Sequence, residues 1–277
     1  MRGFQQAHGL RDDGICDAST WSTLVEASWE LGDRHLYLRS PNQRGDDVAD
    51  LQARLGRLGF DAGRVDGIFG PDTARALQEF QRNVALTPDG ICGYETLRSL
   101  QRLASRADAG PSVASVREDE EMRHASGGLD GKRLVVGHAG GLGALGRSVA
   151  RQLRLAGASV LEVDDPDAVV HARTADRFDA ELYLGLAAGA AQSYVAFYSV
   201  PGFESVGGRR MAERLHAKLT LLDGSFECTP RGMRLPVLRE TRMAAVVIEL
   251  GDAALSPVQA PRIAHATVAA ARAWFAG

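Results

Sequence analysis

Across the first hundred residues, apolar side chains recur at helical spacing between glycine-containing turns. Val48, Leu51, Leu55 and Leu58 form one stripe and predict a helix. Asp66-Gly67-Ile68-Phe69-Gly70 reads as a turn, and Pro71 suits the first turn of a second helix with Leu77, Phe80 and Val84 on one side. The turn returns as Asp89-Gly90-Ile91-Cys92-Gly93, ahead of a third helix carrying Leu97, Leu100 and Leu103. Three short helices around a small core are expected, with glycines supplying positive φ in the turns.

From Lys132 short buried runs alternate with amphipathic stretches. KRLVV, ASVLEV, ELYLGL (181–186), SYVAFYSV (193–200) and AAVVIEL (244–250) read as strands, the last suited to burial on both faces. Between and after them come helices with Leu145, Val149 and Leu153 on one face, with Met211, Leu215 and Leu219 (206–222), and with Ile263, Val268, Ala271 and Phe275 (257–275). This alternation predicts an α/β layer fold with a mostly parallel sheet, so the class is α followed by α/β. Between the halves, 105–130 is rich in small, polar and charged residues and reads as a linker. Its acidic run Glu118–Glu121 is expected to be solvated, the alternative being a partner motif.

The helical part is duplicated. FQQAHGLRDDGICDASTWSTL (4–24) aligns without gaps on FQRNVALTPDGICGYETLRSL (80–100), pairing Phe4 with Phe80, Gln5 with Gln81 and Cys16 with Cys92. The expected boundaries are therefore a truncated repeat at 1–31, a complete three-helix repeat at 36–105, a linker at 106–130 and the α/β domain at 131–277. Phe4, Leu10 and Leu24 lack the front half of their repeat and are expected to pack on the neighbouring one or to stay partly disordered.

Composition narrows the function classes. The 277 residues suffice for one large or two smaller domains, and 45% hydrophobic content is ordinary for a globular protein. A net charge of −3 and a pI near 6.2 argue against a nucleic-acid binder. No apolar stretch approaches the roughly 20 residues of a membrane helix, and the N-terminus lacks the apolar core of a signal peptide. Cys16, Cys92 and Cys228 lie far apart without CxxC spacing, which excludes a zinc ribbon and suggests small half-buried apolar side chains. A cytoplasmic location is expected.

Candidate chemistry concentrates in VVGHAGGLG (135–143). Gly141, Gly143 and Gly146 spell GxGxxG between a strand and a helix, with Asp164 where a ribose-binding acid of a dinucleotide site would stand. His138 is alternatively a metal ligand, a surface imidazole or a relic.

Two resemblances bear on this choice. The pattern LQxxLxxLGF…DGxFGxxTxxALxxFQ…LxxDGICGxxTLxxL at 45–103 resembles the peptidoglycan-binding-domain-1 family. VLRETRMAAVVIELGD (237–252) resembles the end of the N-acetylmuramoyl-L-alanine amidase type 3 family, with RTADRFDAELYLGL (173–186) and GHAGG (137–141) resembling earlier segments of it. That resemblance implies a zinc held by His, Glu and His with an open position for water. Carried over, His138 stands for the first ligand, Leu142 for the second and Ala187 for the third, while Glu249 matches the catalytic Glu. Neither Leu nor Ala coordinates zinc, so the ancestral zinc is expected to be lost, with no other cofactor, and Glu249 to be vestigial, capping or pairing with an Arg such as Arg239. A substitute ligand would have to approach from elsewhere in the domain, as His171.

Repeats, acidic linker and broken ligand set together resemble the CwlM group of mycobacteria and related actinobacteria. This implies a cytoplasmic regulator or scaffold, membrane-associated through partners, that stimulates the enolpyruvyl transferase MurA or another cell-wall synthesis protein and contacts peptidoglycan or its precursors. The group's regulatory phosphothreonine lies in a tail beyond the last helix, and the sequence ends at Gly277, so that control does not carry over. An active amidase and a simple peptidoglycan-binding module are the alternatives.

Overall fold

The computed structural model describes residues 1–104, 113–125, 127–190, 192–220, 228–251 and 259–277. They form two compact units, Met1–Arg117 with Val200–Phe203 and Glu118–Ser199 with Glu204–Gly277.

The first unit is helical: α1 (Arg2–Ala7), α2 (Ala18–Glu26), α3 (Asp46–Arg57), α4 (Pro71–Asn83) and α5 (Tyr94–Ala104). Pro71 occupies the first turn of α4, as the sequence predicts. Asp46 and Asp47 open α3 and Arg54 and Arg57 close it, each sign at the end the helix dipole favours. Val48, Leu51 and Leu55 of α3 meet Leu77, Phe80 and Leu100 in one fully buried core.

One polar device recurs three times. In α4 the buried Gln81 donates through Nε2 to Asp89 Oδ1 (2.8 Å), the Ile91 carbonyl (3.0 Å) and Thr96 Oγ1 (3.2 Å), while its Oε1 accepts from the Gly90 amide (2.9 Å). Gln5 does the same with Asp13, Ile15, Thr20 and Gly14, and Gln52 with Asp66, Ile68, Thr73 and Gly67. Each Asp also accepts from the amide two residues on, closing the turn. The glycine of each Asp-Gly pair has φ between +70 and +85°. A helix is thereby tied to the start of the next by a buried amide whose polar atoms are all used.

The two copies differ in cover. Leu100 is fully buried on α3, but its counterpart Leu24 is only half-buried. Cys92 is buried and its counterpart Cys16 exposed. The half repeat is nevertheless helical with its own clasp, and Leu10 is buried.

Residues 113–125, read from composition as linker, form helix α6 (Val113–Ala125). The acidic run is not simply solvated: Glu118 accepts from the Val206 amide (2.8 Å) and from Ser205 Oγ, and Asp119 lies 3.3 Å from Arg210. A carboxylate at a helix N-terminus satisfies amides that have no partner within the helix.

The remaining elements are β1 (Arg133–His138), α7 (Gly143–Leu155), β2 (Ser159–Asp164), α8 (Ala168–Arg177), β3 (Leu182–Ala190), β4 (Tyr194–Val200), β5 (Phe203–Glu204), α9 (Val206–Thr220), β6 (Thr229–Met233), α10 (Pro236–Glu240), β7 (Ala244–Gly251) and α11 (Gln259–Phe275). The sheet order is β2-β1-β3-β7-β4-β5, with β6 pairing β4. All pairs among β2, β1, β3 and β7 are parallel, and β4 runs antiparallel to β7. Alternate residues separate the two faces. Leu134, Val136, Leu182, Leu184, Leu186, Val246 and Ile248 join α7, α9 and α11 in the main core. The opposite face carries α8 and α10.

Candidate functional site

In an α/β sheet with parallel strands, chemistry gathers at the carboxyl ends of the strands, where loops converge. Every residue carried over from the amidase pattern lies there, and strand parity separates them. His138 is the last residue of β1 and aligns with Leu186 of β3, which aligns with Ile248 of β7. All three face α7 and α11. Ala187 and Glu249 form the next rung, aligned with each other, and point to the other face. Tyr194 is the rung neighbour of Glu249 on β4, and the Arg231 guanidinium stands 4.6 Å from its ring centroid.

His138 is not a surface imidazole: it is 2% exposed. Its Nε2 lies 2.9 Å from Glu162 Oε1, so that nitrogen donates to the carboxylate. Its Nδ1 lies 3.4 Å from Asp164 Oδ1, outside hydrogen-bond geometry. The ring rests on the first turns of α7: a Cβ at Gly146 would stand 2.1 Å from its Cδ2. That explains the third glycine of GxGxxG without a nucleotide. Gly140 and Gly141, at φ +66 and +89°, make the tight turn before the helix. Leu142 is the N-cap residue of α7, buried in the core, and offers no side-chain hydrogen bond to the helix.

His171 is fully engaged elsewhere. Its Nε2 lies 2.8 Å from the Asp165 carbonyl and must donate, which leaves Nδ1 to accept from the Tyr183 hydroxyl at 2.7 Å. The pair sits on the α8 face, where Gly137 makes room for it: a Cβ there would stand 2.2 Å from the Tyr183 oxygen and 2.4 Å from His171 Nδ1. Burial lowers the His171 pKa, the Asp165 carbonyl acting against that, and burial raises that of Tyr183. His171 thus neither joins His138 nor has a lone pair free for a metal.

Glu249 is 1% exposed, and Arg239 and Arg234 are buried in the same unit at 8 and 7%. None of the three is without a partner. Among the described residues no group of three His, Cys, Asp or Glu side chains is arranged to hold a metal ion. Sequence reasoning overlooked Glu162, although its place two residues before Asp164 on one strand puts both on the His138 side. It also overlooked Tyr183, whose signal is Gly137 beside Gly185 on adjacent strands.

The sequence and the fold have relatives. Residues 44–100 match the peptidoglycan binding domain family PG_binding_1. Over 283 aligned residues the chain is 36% identical to "N-acetylmuramoyl-L-alanine amidase CwlM" of Mycobacterium tuberculosis, covering 91% of this chain and 70% of that protein. It is 46% identical over 81 residues to a spore cortex-lytic enzyme of Bacillus cereus, which spans 28% of this chain and 31% of that enzyme. Among solved structures, the catalytic domain of CwlV, an N-acetylmuramoyl-L-alanine amidase of Bacillus (Paenibacillus) polymyxa, superposes with a TM-score of 0.42 at 16% identity, covering 50% of this chain and 95% of that one. The amidase Ami1 of Mycobacterium abscessus gives 0.40 at 15% identity over 53% and 99%. No helix among the described residues is long and apolar enough to cross a membrane.

Proposed function

Because the chain belongs to the CwlM family, with a peptidoglycan-binding repeat and an amidase-like domain, we propose that this cell-wall protein is a catalytically inactive amidase homologue. In this reading it regulates or scaffolds peptidoglycan precursor synthesis in the cytoplasm, acting on the enolpyruvyl transferase MurA or another enzyme of that route. The repeats would contact peptidoglycan or its precursors.

One observation carries the reading. The donor set does not fit a hydrolytic zinc: Ala187 and Leu142 cannot coordinate, and His138 is turned to the face opposite Glu249 with Nε2 committed to Glu162. A catalytic zinc needs three converging protein donors and an open position for water. Without the metal, Glu249 has no activated water to deprotonate and is a buried structural carboxylate.

The test has two parts. Metal analysis of the purified protein, run beside an assay for cleavage of the muramoyl–alanine bond, is expected to give no stoichiometric zinc and no cleavage. Added to the enolpyruvyl transferase, the protein is expected to change its turnover. Zinc at one per chain with bond cleavage lost on Glu249→Ala would instead establish an N-acetylmuramoyl-L-alanine amidase. Retention on insoluble peptidoglycan with neither activity nor effect on the transferase would reduce it to a binding module.

A further inference from the structure

We propose that the groove between α7 and α11 docks an acidic amphipathic helix of a partner protein. The two helices pack side by side on the same sheet face. Surface helices ordinarily mix charges on their outer sides. Here α7 carries Arg147, Arg151 and Arg154, α11 carries Arg262 and Arg272, and neither helix contains an acidic residue. This segregation occurs in a chain whose formal charge is −3. Arg154 turns back to the Val160 carbonyl at 2.8 Å. Arg147, Arg151, Arg262 and Arg272 form no ion pair among the described residues.

Between the helices lies a hollow of about 600 Å³ lined by Ala156, Val268, Ala269, Ala273 and Ala276, with Leu155 beside them. Leu155 is 81% exposed, more than any other large apolar side chain described. His265 and Arg272 form one rim of the hollow. Arg151, four residues before the lining residue Leu155, shares its stripe of α7 and so lies toward the other.

A shallow apolar hollow flanked by cations that form no ion pair among the described residues is complementary to a helix with leucines on one face and carboxylates on its flanks. The alanine-rich lining between the two basic helices favours a helix among anionic partners. Insertion into a lipid surface calls for several projecting apolar side chains, and here Leu155 alone projects. A nucleic acid would use the cations and leave the apolar lining unexplained. The groove lies on the sheet face opposite Ala187 and Glu249, so it does not depend on the loss of catalysis proposed above.

The experiment is fluorescence anisotropy of the whole chain against a labelled designed helix of about 20 residues, leucines on one face and glutamates on the other, with a lysine-for-glutamate twin. The acidic helix is expected to bind and its basic twin not to. Arg151→Glu combined with Arg272→Glu should weaken binding by at least about tenfold, and Ala273→Glu should do the same from the lining, while Arg98→Glu in the helical unit changes nothing. Thermal midpoints should stay at the parent value for the arginine reversals, whose side chains are exposed. Absence of binding, equal binding of both twins, or insensitivity to the arginine reversals overturns the proposal. So does loss of binding to phosphatidylglycerol vesicles or duplex DNA on the same reversals when the acidic helix does not bind.

Discussion

The two copies of the helical repeat are an internal control. They share the Gln–Asp–Thr clasp nearly atom for atom, yet only the second has α3 laid across it. The comparison separates two contributions that are usually fused. The clasp fixes the turn and the entry of the next helix, because a buried amide has few ways to satisfy its donors and acceptor together. Apolar cover then decides how far that local geometry resists opening.

Thiol reactivity offers the widest margin for breaking this contrast. Burial pushes the thiols of Cys92 and Cys228 up to about 12, whereas Cys16 is exposed. With a disulfide reagent at pH 8, Cys16 should react freely and the other two roughly a thousandfold slower, through opening of the fold. Equal rates for Cys16 and Cys92 would erase the difference in cover. Truncation of the matched leucines comes next. Leu100→Ala should cost about 3 kcal/mol in denaturant unfolding, and Leu24→Ala under about 1 kcal/mol. The clasp gives a smaller, more even signal. Gln81→Ala should cost about 2 kcal/mol by orphaning the Gly90 amide. Gln5→Ala should raise amide exchange at Gly14 and Ile15 without moving the global midpoint.

The smallest expected effect comes from the α/β unit, where a buried polar pair replaces the repeated clasp. Since the folded state holds His171 below its ordinary value of 6.5, the unfolded chain takes up that proton first as the pH falls. Stability should therefore be full above about 6.5 and decline below it, down to the folded value. His171→Asn should flatten that slope, measured by thermal midpoints between pH 7.5 and about 5. An unchanged slope would mean that another group is responsible.

Much of this molecule can be read in its sequence where pattern and structure share a period. The duplication follows from a gapless match of residues, and the three helices of the complete repeat and the core strands follow from apolar spacing. The third clasp does not stand out, because Gln52 precedes Asp66 by a longer loop than Gln5 precedes Asp13, while the step from Asp to Thr is the same in all three. Helix α6 escapes because its residues resemble a linker and its docking rests on Glu118 reaching Ser205 and Val206, contacts far away in sequence. Strand β6 and helices α8 and α10 are short or poor in large apolar residues, so periodicity says little about them. At the candidate site the residue types could be judged from sequence but not their sides: whether His138 and Glu249 share a face depends on where β1 stops and how it registers with β3.

That register has a bearing on reversibility. A side chain's side of a sheet is set by counting residues, and an amino-acid exchange leaves the count untouched. A histidine placed at position 187 would point toward Glu249, with His138 still a sheet's thickness away beneath α7. On the function proposed above, bringing the His138 imidazole to the Glu249 side would take an inserted or deleted residue in β1, a rarer genetic event than any substitution, and one that would also dislodge the ring from Gly146.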